Sequence, residues 1–295
     1  MVGQPPGLPG VHVALAKAGA AGIGGRVAFS HGLPRIFFRP VKRLGLIGGI
    51  GWESTALYYR LINEAVRNRY GSLNSAPLIL NSLEFQALDS LVKENRWNDA
   101  GAMLGEAART LEVAGADAIV LCSNLMHYVA EHVEAAVDVP LLHIGDAVLK
   151  ELRAARVSRV GLIGTRFTLE HDFLLKRPRA EAGGGRRRLA IEVETPAPAD
   201  FDALDRIIYS ELCRGDVRAT SRTFLLRVAA DLRKRGAQAI VLGSSELALL
   251  LQPEDFSRPL FDSTDLHAIA VARWAMEEPK ARPKRPTNTP VRGRS

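Results

Sequence analysis

Two serines, Ser123 and Ser244, follow two runs of the same sequence pattern. Each comes after Gly-Ala-x-Ala-Ile-Val-Leu and one small residue, within 115–127 and 236–246. An apolar run that stops at a small polar corner is typical of a buried parallel strand, and ligands of open α/β sheets bind at the carboxyl ends of such strands. If two such corners face each other, the hydroxyls approach one carbon atom from opposite sides. Such a pair could remove a proton from one face and return it to the other, each group serving as acid in one direction and base in the other.

The repeat extends on both sides of the serines. Upstream, 43–48 matches 159–164, and downstream, 140–142 matches 259–261. The spacings predict two copies of one α/β unit, with a period too long for a solenoid. We therefore expect an α/β protein of two similar domains related by a pseudo-twofold axis. Each domain is predicted to be a short parallel sheet flanked by helices, with the site between the two.

The repeat and the composition also predict the domain boundaries. The chain begins with a Gly-, Ala- and Pro-rich stretch without Asp or Glu and ends in a basic, Pro-rich stretch. The first of these lacks the apolar core of a secretory signal, and it fits an organellar presequence as well as it fits a start codon assigned too early. The predicted parts are a disordered or presequence-like tail at 1–42, a first domain at 43–148 plus 264–278, a second domain at 149–263 and a basic tail at 279–295.

Composition narrows the class of protein. The 295 residues are 47% apolar and 24% charged, which is typical of a soluble globular protein, and no apolar run approaches the roughly 20 residues of a membrane helix. Much of the net charge of +7 lies in the two tails and in 183–188, so we expect neither nucleic acid nor a membrane as a partner. Two distant cysteines, Cys122 and Cys213, form neither a disulfide framework nor a metal cluster. A cytoplasmic protein is expected.

The first βα unit illustrates how the corners are built. An apolar strand at 44–47 runs into the glycine turn 48–51, and a helix follows to about Arg69, with Leu57, Leu61 and Ala65 predicted on its buried face. The turn does not have the G-x-G-x-x-G spacing of a dinucleotide site, so it either holds an anion or serves tight packing. Further strands are predicted at 77–82, 118–122, 140–144, 160–164, 189–194, 239–242 and 259–261, and helices at 98–113, from 126, at 168–176, at 201–235 with a break near Gly215, and at 264–276.

Several motifs, in the same order, resemble the aspartate/glutamate racemase superfamily. They are Leu-Ile-Gly-Gly-Ile-Gly-Trp-Glu-Ser-Thr at 46–55, Tyr-Tyr-Arg-Leu-Ile-Asn-Glu at 58–64, Leu-Cys-Ser-Asn-Leu-Met-His at 121–127, Leu-His-Ile at 142–144, Gly-Thr-Arg-Phe-Thr-Leu-Glu at 164–170 and Gly-Ser-Ser-Glu at 243–246. The similarity spans roughly 43–277 and is greatest to the amino-acid racemases of broad or aspartate/glutamate specificity. It implies a PLP-independent racemase that needs neither cofactor nor metal, binds a small amino acid and forms a homodimer.

The chain departs from the superfamily at the reacting groups. The resemblance implies a catalytic cysteine in each half, or threonine in the first half of one branch, where this chain has Ser123 and Ser244. A hydroxyl is a far weaker acid than a thiol, so a serine pair needs an activating partner. Two functions stay open: an amino-acid racemase with these serines as its catalytic pair, and a catalytically impaired member that binds an amino acid or regulates. A serine hydrolase ranks last, because neither serine lies in a G-x-S-x-G elbow.

The resemblance and the local pattern also suggest residues that bind the substrate. Asn124 and Ser245 could hold the α-carboxylate or merely cap helices, and Glu246 could bind the ammonium group or support its corner. His127 could polarise Ser123 or simply pack. Cys122 is expected to be buried on the opposite face of its strand, and Cys213 to be packed on a helix. The predicted substrate-binding set is Gly49, Ile50, Asn124, Leu125, Ser245, Glu246 and Lys93, of which Lys93 would meet a side-chain carboxylate or be a solvated lysine.

Overall fold

Two parallel sheets, one in each half of the chain, organise the fold. The computed structural model describes residues 41–71, 73–171, 173–175, 191–257 and 259–278. The strand orders are β2-β1-β3 in the first sheet and β5-β4-β6-β7 in the second, and every pairing is parallel. The predicted α/β class, with two parallel sheets flanked by helices, is confirmed.

The first sheet is centred on β1 (Leu44–Gly48), which pairs with β2 (Leu78–Ser82) and β3 (Ala118–Leu121). β1 and β3 are buried throughout, as their lack of polar side chains predicts for strands covered on both faces. The helices of this half are α1 (Trp52–Tyr70), α2 (Phe85–Lys93), α3 (Trp97–Val113), α4 (Ala130–Ala136) and α5 (Ile144–Ala154).

The second sheet repeats this arrangement around β4 (Arg159–Ile163), which pairs with β5 (Glu192–Glu194) and β6 (Ala239–Leu242), while β7 (Leu260–Asp262) pairs with β6. In both halves the central strand lies beside the strand that leads to a serine corner. The helices here are α6 (Arg166–His171), α7 (Phe201–Asp205), α8 (Ala219–Lys234) and α9 (Ser263–Met276).

Helix α9 begins at the end of the second sheet but packs against the first. Its buried face is made of small residues, Ala268, Val271, Ala272 and Ala275, in one core cluster with residues of β1, β3 and α1. Small side chains allow α9 to approach α1 closely. The chain thus returns to its first half, and the domain boundaries given above stay a prediction.

The glycine turn after β1 is closed by packing. Gly49 has φ +79°, and its N–H donates to Thr55 Oγ1 at 2.9 Å. A Cβ on Gly49 would lie 2.1 Å from the carbonyl oxygen of Leu83. The amide of Gly49 is therefore already bonded within the protein, which favours the packing role of this turn over anion binding at that amide.

Three predicted elements differ from the structure. Residues 140–144 form only an isolated parallel bridge, Leu141 to Ile119, because His143 accepts from Gly145 N–H and thereby caps α5 at once. The helix predicted at 168–176 is α6, which is shifted towards its N-terminus and shorter, and the last residue of the prediction lies outside the described part of the chain. The strand predicted at 189–194 is observed as β5, and 189–190 lie outside the described residues.

The buried face of α1 also differs from the prediction. Tyr58, Ile62 and Val66 are fully buried, whereas Leu57, Leu61 and Ala65 are only partly so. A tyrosine reads as a surface residue in a hydropathy pattern, but Tyr58 finds a buried hydrogen-bond partner in His267 at 2.8 Å. The helix is therefore rotated by about one residue relative to the expected orientation.

The helical region predicted at 201–235 is interrupted near Gly215, as expected. Gly215 is left-handed and separates α8 from α7 and the π-helical turn Arg206–Glu211 that follows α7. The Gly/Arg loop at 183–188, residues 1–40 of the predicted first tail and the basic tail at 279–295 lie outside the described residues, whereas Lys42 N–H donates to the carbonyl oxygen of Ala275. No helix in the described part of the chain has both the length and the apolar character that crossing a membrane requires.

The close approach at Gly49 yields a stability prediction. Gly49→Ala should lower the free energy of unfolding by about 2–5 kcal/mol, since a positive φ and an overlap with the Leu83 backbone act together. Gly215→Ala is the matched control: φ is +76°, but nothing lies within 4 Å of its Cβ, so only about 1–2 kcal/mol should be lost. Urea unfolding compares the two variants, and equal losses would contradict the packing role of Gly49.

Candidate active site

The first corner, at the end of β3, presents the side chain of Ser123. Ser123 follows β3 and is 9% exposed, and no group among the described residues hydrogen-bonds its side chain. The corner beneath it is fixed by its backbone: Ser54 Oγ donates to the carbonyl oxygen of Cys122 at 3.1 Å, and Cys122 N–H donates to the carbonyl of Ile47. The hydroxyl oxygen is not among the fully buried side-chain atoms that lack a partner in the described part of the chain, so a ligand or water can reach it.

Asn124 does not cap a helix, although its position predicts that it could. Its amide Nδ2 donates to Ser263 Oγ at 2.7 Å, and Ser263 Oγ in turn donates to the carbonyl oxygen of Leu242 at 2.5 Å. Leu242 is the last residue of β6, two positions before Ser244. One fully buried side chain at the start of α9, Ser263, therefore hydrogen-bonds both serine corners.

The second corner carries a carboxylate beside its hydroxyl. Ser244 is 6% exposed, and its Oγ donates to Glu246 Oε2 at 2.5 Å. Of the two functions considered for Glu246, support of its corner is observed, and the carboxylate is placed to receive the proton of Ser244.

Neither cysteine supplies the missing thiol at a serine position. Cys122 is fully buried, as predicted, and desolvation raises the pKa of its thiol, so it stays protonated and inert. The prediction that Cys213 is packed is wrong: the residue is exposed, because Leu212 beside it takes the inward position in the same short turn. Partial desolvation, together with the charges of Glu246 and Glu53, raises the pKa of Cys213 to about 12.

A set of polar residues that the sequence reasoning missed surrounds the junction. Asp262 accepts from the N–H groups of Thr264 and Asp265 and so caps α9. Burial, followed by the charge of Asp265, raises the pKa of Asp262 to about 6. Like Ser263 next to it, Asp262 lies at the end of a strand that pairs with β6. The sequence signal that could have revealed Asp262 and Ser263 is the polar triplet 262–264, which directly follows the last apolar run.

Tyr209 is a second residue that the sequence reasoning missed. It lies on the π-helical turn Arg206–Glu211 and is about half exposed. Desolvation, with smaller contributions from the charges of Asp205 and Glu246, raises the pKa of Tyr209 to about 12. An interruption of a helix by a π-turn is frequent at functional sites, and the charge of Glu246 at the second corner is one of those that act on this phenol.

The other predicted binding residues are dispersed. Ile50 is buried in the core of the first half, and Leu125 packs against the same core cluster. Ser245 begins a short 3-10 helix after the second corner. Lys93 lies at the end of α2, where its exposed ammonium group forms an ion pair with Asp89. Among the described residues, it forms no ion pair with a member of the predicted site. A substrate contact of these residues stays a prediction.

Metal binding finds no support at the junction. Within the described ranges, His, Cys, Asp and Glu side chains do not assemble in groups of three that could ligate an ion. The arrangement offers proton donors and acceptors: the hydroxyl of Ser123, without a hydrogen-bond partner in the described part of the chain, and the hydroxyl of Ser244, bonded to the carboxyl group of Glu246.

The protein therefore has two α/β halves, each with a parallel sheet and a serine after one of its strands. Ser263 hydrogen-bonds residues near both serines and so forms a polar junction between the strand ends. The sequence model of the Asp/Glu/hydantoin racemase family matches residues 47–271 of this chain. The chain therefore belongs to the Asp/Glu/hydantoin racemase family, and the resemblance noted from its motifs is confirmed.

Solved structures agree with this assignment. A Yersinia pestis protein proposed to be an Asp/Glu racemase is 43% identical, over 80% of this chain and 100% of that one, with a TM-score of 0.73. An aspartate racemase homologue from Pyrococcus horikoshii OT3 is 31% identical over the same shares, with a TM-score of 0.68. The aspartate racemase of Picrophilus torridus, 17% identical over 79% of this chain and 94% of that one, shares the fold with a TM-score of 0.62.

The bridging role of Ser263 can be tested by its removal. Ser263→Ala should lower the free energy of unfolding by about 2–4 kcal/mol, because it leaves the amide of Asn124 without its short hydrogen bond and the carbonyl of Leu242 without its side-chain donor. Ser90→Ala removes a hydroxyl that bonds the carbonyl of Gln86 on the exposed helix α2, and should cost at most about 0.5 kcal/mol. Urea denaturation measures both, and a near-neutral Ser263→Ala would show that the bridge does not tie the corners.

The raised pKa of Asp262 predicts a pH dependence of stability. The folded state holds this proton up to about pH 6, whereas the unfolded chain releases it near pH 4, so ionised Asp262 destabilises the fold above pH 6. Asp262→Asn keeps a capping oxygen for α9 but cannot ionise. The stability of this variant relative to the wild type should therefore increase from pH 4 to pH 6 and then level off. Thermal unfolding at a series of pH values tests this, and a constant difference would contradict the shift.

Proposed function

We propose that this protein is a cofactor-independent amino-acid racemase of the aspartate/glutamate type that works by proton transfer at Cα. The observation that carries the proposal is the hydrogen bond from Ser244 Oγ to Glu246 Oε2, which gives one of the two hydroxyls the acceptor that a serine base needs. The family membership and the equivalent position of Ser123 in the other half support the same reaction.

The reaction can be written with its protons balanced. On one face, Ser244 takes the Cα proton while its own proton passes to Glu246, so a neutral hydroxyl and a protonated carboxyl remain beside a substrate carbanion. On the other face, the hydroxyl of Ser123 gives its proton to Cα and is left as an alkoxide. The alkoxide takes a proton from solvent and Glu246 releases its proton to solvent, so both groups return to their starting states. The reverse direction exchanges these roles. Asn124 and Ser245, with nearby backbone N–H groups, are the proposed carboxylate binders, and Gly49, Ile50, Leu125 and Lys93 the proposed lining.

The two halves are unequal in this scheme. Ser244 has a carboxylate to receive its proton, whereas the hydroxyl of Ser123 has no such partner among the described residues. We therefore infer that proton removal on the Ser244 face is the easier step. A homodimer, implied by the resemblance, belongs to the proposal as well.

A second function has its own support. Both positions where the resemblance implies a thiol or threonine carry serine, and neither Cys122 nor Cys213 provides a thiolate. A catalytically impaired member that binds an amino acid or regulates would have this composition. It would gain thermal stability from an amino acid without exchanging the α-proton of that ligand.

The proposed function is tested by α-proton exchange in deuterated water, followed by NMR, with L- and D-amino acids that include aspartate and glutamate. The wild type should exchange deuterium, and Glu246→Gln should lower the rate by about 10²-fold or more, since glutamine keeps the shape but cannot take up a proton. Glu254→Gln makes the same change on an exposed turn of the same half and should leave the rate unchanged.

Two further variants separate the alternatives. Ser123→Ala should abolish inversion if its hydroxyl supplies the second proton. If exchange is detected only after Ser244→Cys, the pocket is intact and the natural chain lacks the chemistry, which would favour the binding protein. Absence of exchange from both chains would contradict the racemase proposal.

A further inference from the structure

His127 binds two backbone groups with its two ring nitrogens. The N–H of Ile144 donates to Nε2 at 3.2 Å, so Nε2 carries no proton. The proton of this neutral ring is then on Nδ1, which lies 2.8 Å from the carbonyl oxygen of Ser123 and donates to it. With Nδ1 and Nε2 both engaged by the main chain, His127 cannot polarise the hydroxyl of Ser123, one of the two functions considered from the sequence.

A neighbouring imidazole has the opposite tautomer. His267 Nε2 lies 2.6 Å from the carbonyl oxygen of Leu142, which can only accept, so this nitrogen carries the proton. Its Nδ1 then accepts from the hydroxyl of Tyr58 at 2.8 Å. His267 is buried and lies edge-on to His127, with ring centroids 5.5 Å apart. The two tautomers can therefore be compared by NMR within one protein.

The position of the Ser123 hydroxyl depends on its backbone. Its side chain has no hydrogen-bond partner among the described residues, so no contact of the hydroxyl itself fixes where it points. β3 ends at Leu121, and the carbonyl of Ser123 is held by His127 rather than by a neighbouring strand. His127 is 2% exposed, and its other bond leads to the first turn of α5.

We propose that His127 is a positioning residue, which ties the main chain of Ser123 to the first turn of α5 and so fixes the hydroxyl on the substrate face. The inference rests on the proposed function in that Ser123 is taken as a proton donor to Cα. Misplacement of a reacting group by about 1 Å can cost a factor of about 10² in rate, so one such tether is enough to matter.

Two substitutions divide the tether into its halves. In His127→Asn, the amide Nδ2 occupies the place of the ring Nδ1 and can still donate to the carbonyl of Ser123. In His127→Gln, the longer side chain can reach the place of Nε2 and accept from Ile144, but it gives up the donor to Ser123. His143→Asn is the control: it changes an imidazole of the same cluster that caps α5, and asparagine is itself a good cap.

The expected result is a split between the two variants. His127→Gln should lower the maximal exchange rate by about 10–100-fold with little change in KM, whereas His127→Asn should keep most of the rate and His143→Asn all of it. Both His127 variants lose a buried ring and should lose similar stability. Equal rates per folded molecule for the two His127 variants would overturn the proposal.

Two readouts do not depend on activity. Imidazole ¹⁵N NMR should show His127 protonated at Nδ1 and His267 at Nε2, and the reverse state of His127 would overturn the proposal. Hydrogen–deuterium exchange of the backbone at 118–129 should accelerate in His127→Gln but not in His127→Asn, and equal acceleration would also overturn it.

These readouts keep the two hypotheses distinguishable. If the wild type does not exchange α-protons, the same His127 variants are made in the Ser244→Cys chain, where a thiol supplies the second base. Suppose that the wild type shows no α-proton exchange, while backbone hydrogen exchange at 118–129 accelerates in His127→Gln and not in His127→Asn. This result would count against the proposed function and for the positioning role. α-Proton exchange by the wild type, together with equal acceleration of backbone exchange in both His127 variants, would count for the proposed function and against the positioning role.

Discussion

The buried hydroxyl of Ser263 is the constraint on which the junction of the two halves depends. It accepts from Asn124, beside the first serine, and donates to the carbonyl of Leu242, at the end of the strand that leads to the second. Two strand ends from separate sheets are thereby connected through one side chain. Because α9 starts at this residue and then packs on α1 and the first sheet, the same helix also draws the two halves together.

Ser123 and Ser244 occupy the positions at which the family resemblance implies catalytic cysteines. A thiol has a pKa near 8.5 and can be a base once its pKa is lowered, whereas a hydroxyl needs a neighbour that takes its proton. Glu246 is such a neighbour for Ser244, and Ser123 has none among the residues described. The two halves therefore match in fold but differ in the hydrogen-bond partner of the serine. This inequality is a consequence of local sequence, since only the second corner has an acid two positions after its serine.

Much of the architecture could be predicted from periodicity and the internal repeat. The apolar strands β1, β3 and β6, and β4 after its first residue Arg159, follow directly from their runs, because a strand buried on both faces disfavours polar side chains. The burial and hydrogen-bond partners of individual polar side chains are harder to predict from the sequence. Tyr58 is buried through a hydrogen bond to a histidine some 200 residues away, which no local pattern reveals. Asn124 reads as a cap but bonds across the junction, and Cys213 reads as packed but faces outward. For Tyr58 and Asn124 a long-range contact overrides the local preference, and for Cys213 the neighbouring Leu212 takes the inward position.

The most direct test of the central claim compares exchange with inversion for each enantiomer separately. Each pure enantiomer is incubated in deuterated water, and the deuterium in the remaining substrate and in the newly formed enantiomer is measured at early times. Unequal bases predict that the enantiomer whose Cα–H faces Ser244 incorporates deuterium faster than it inverts, while the other enantiomer does not. Equal ratios of exchange to inversion for both enantiomers would contradict the assignment of Ser244 and Glu246 as the stronger base.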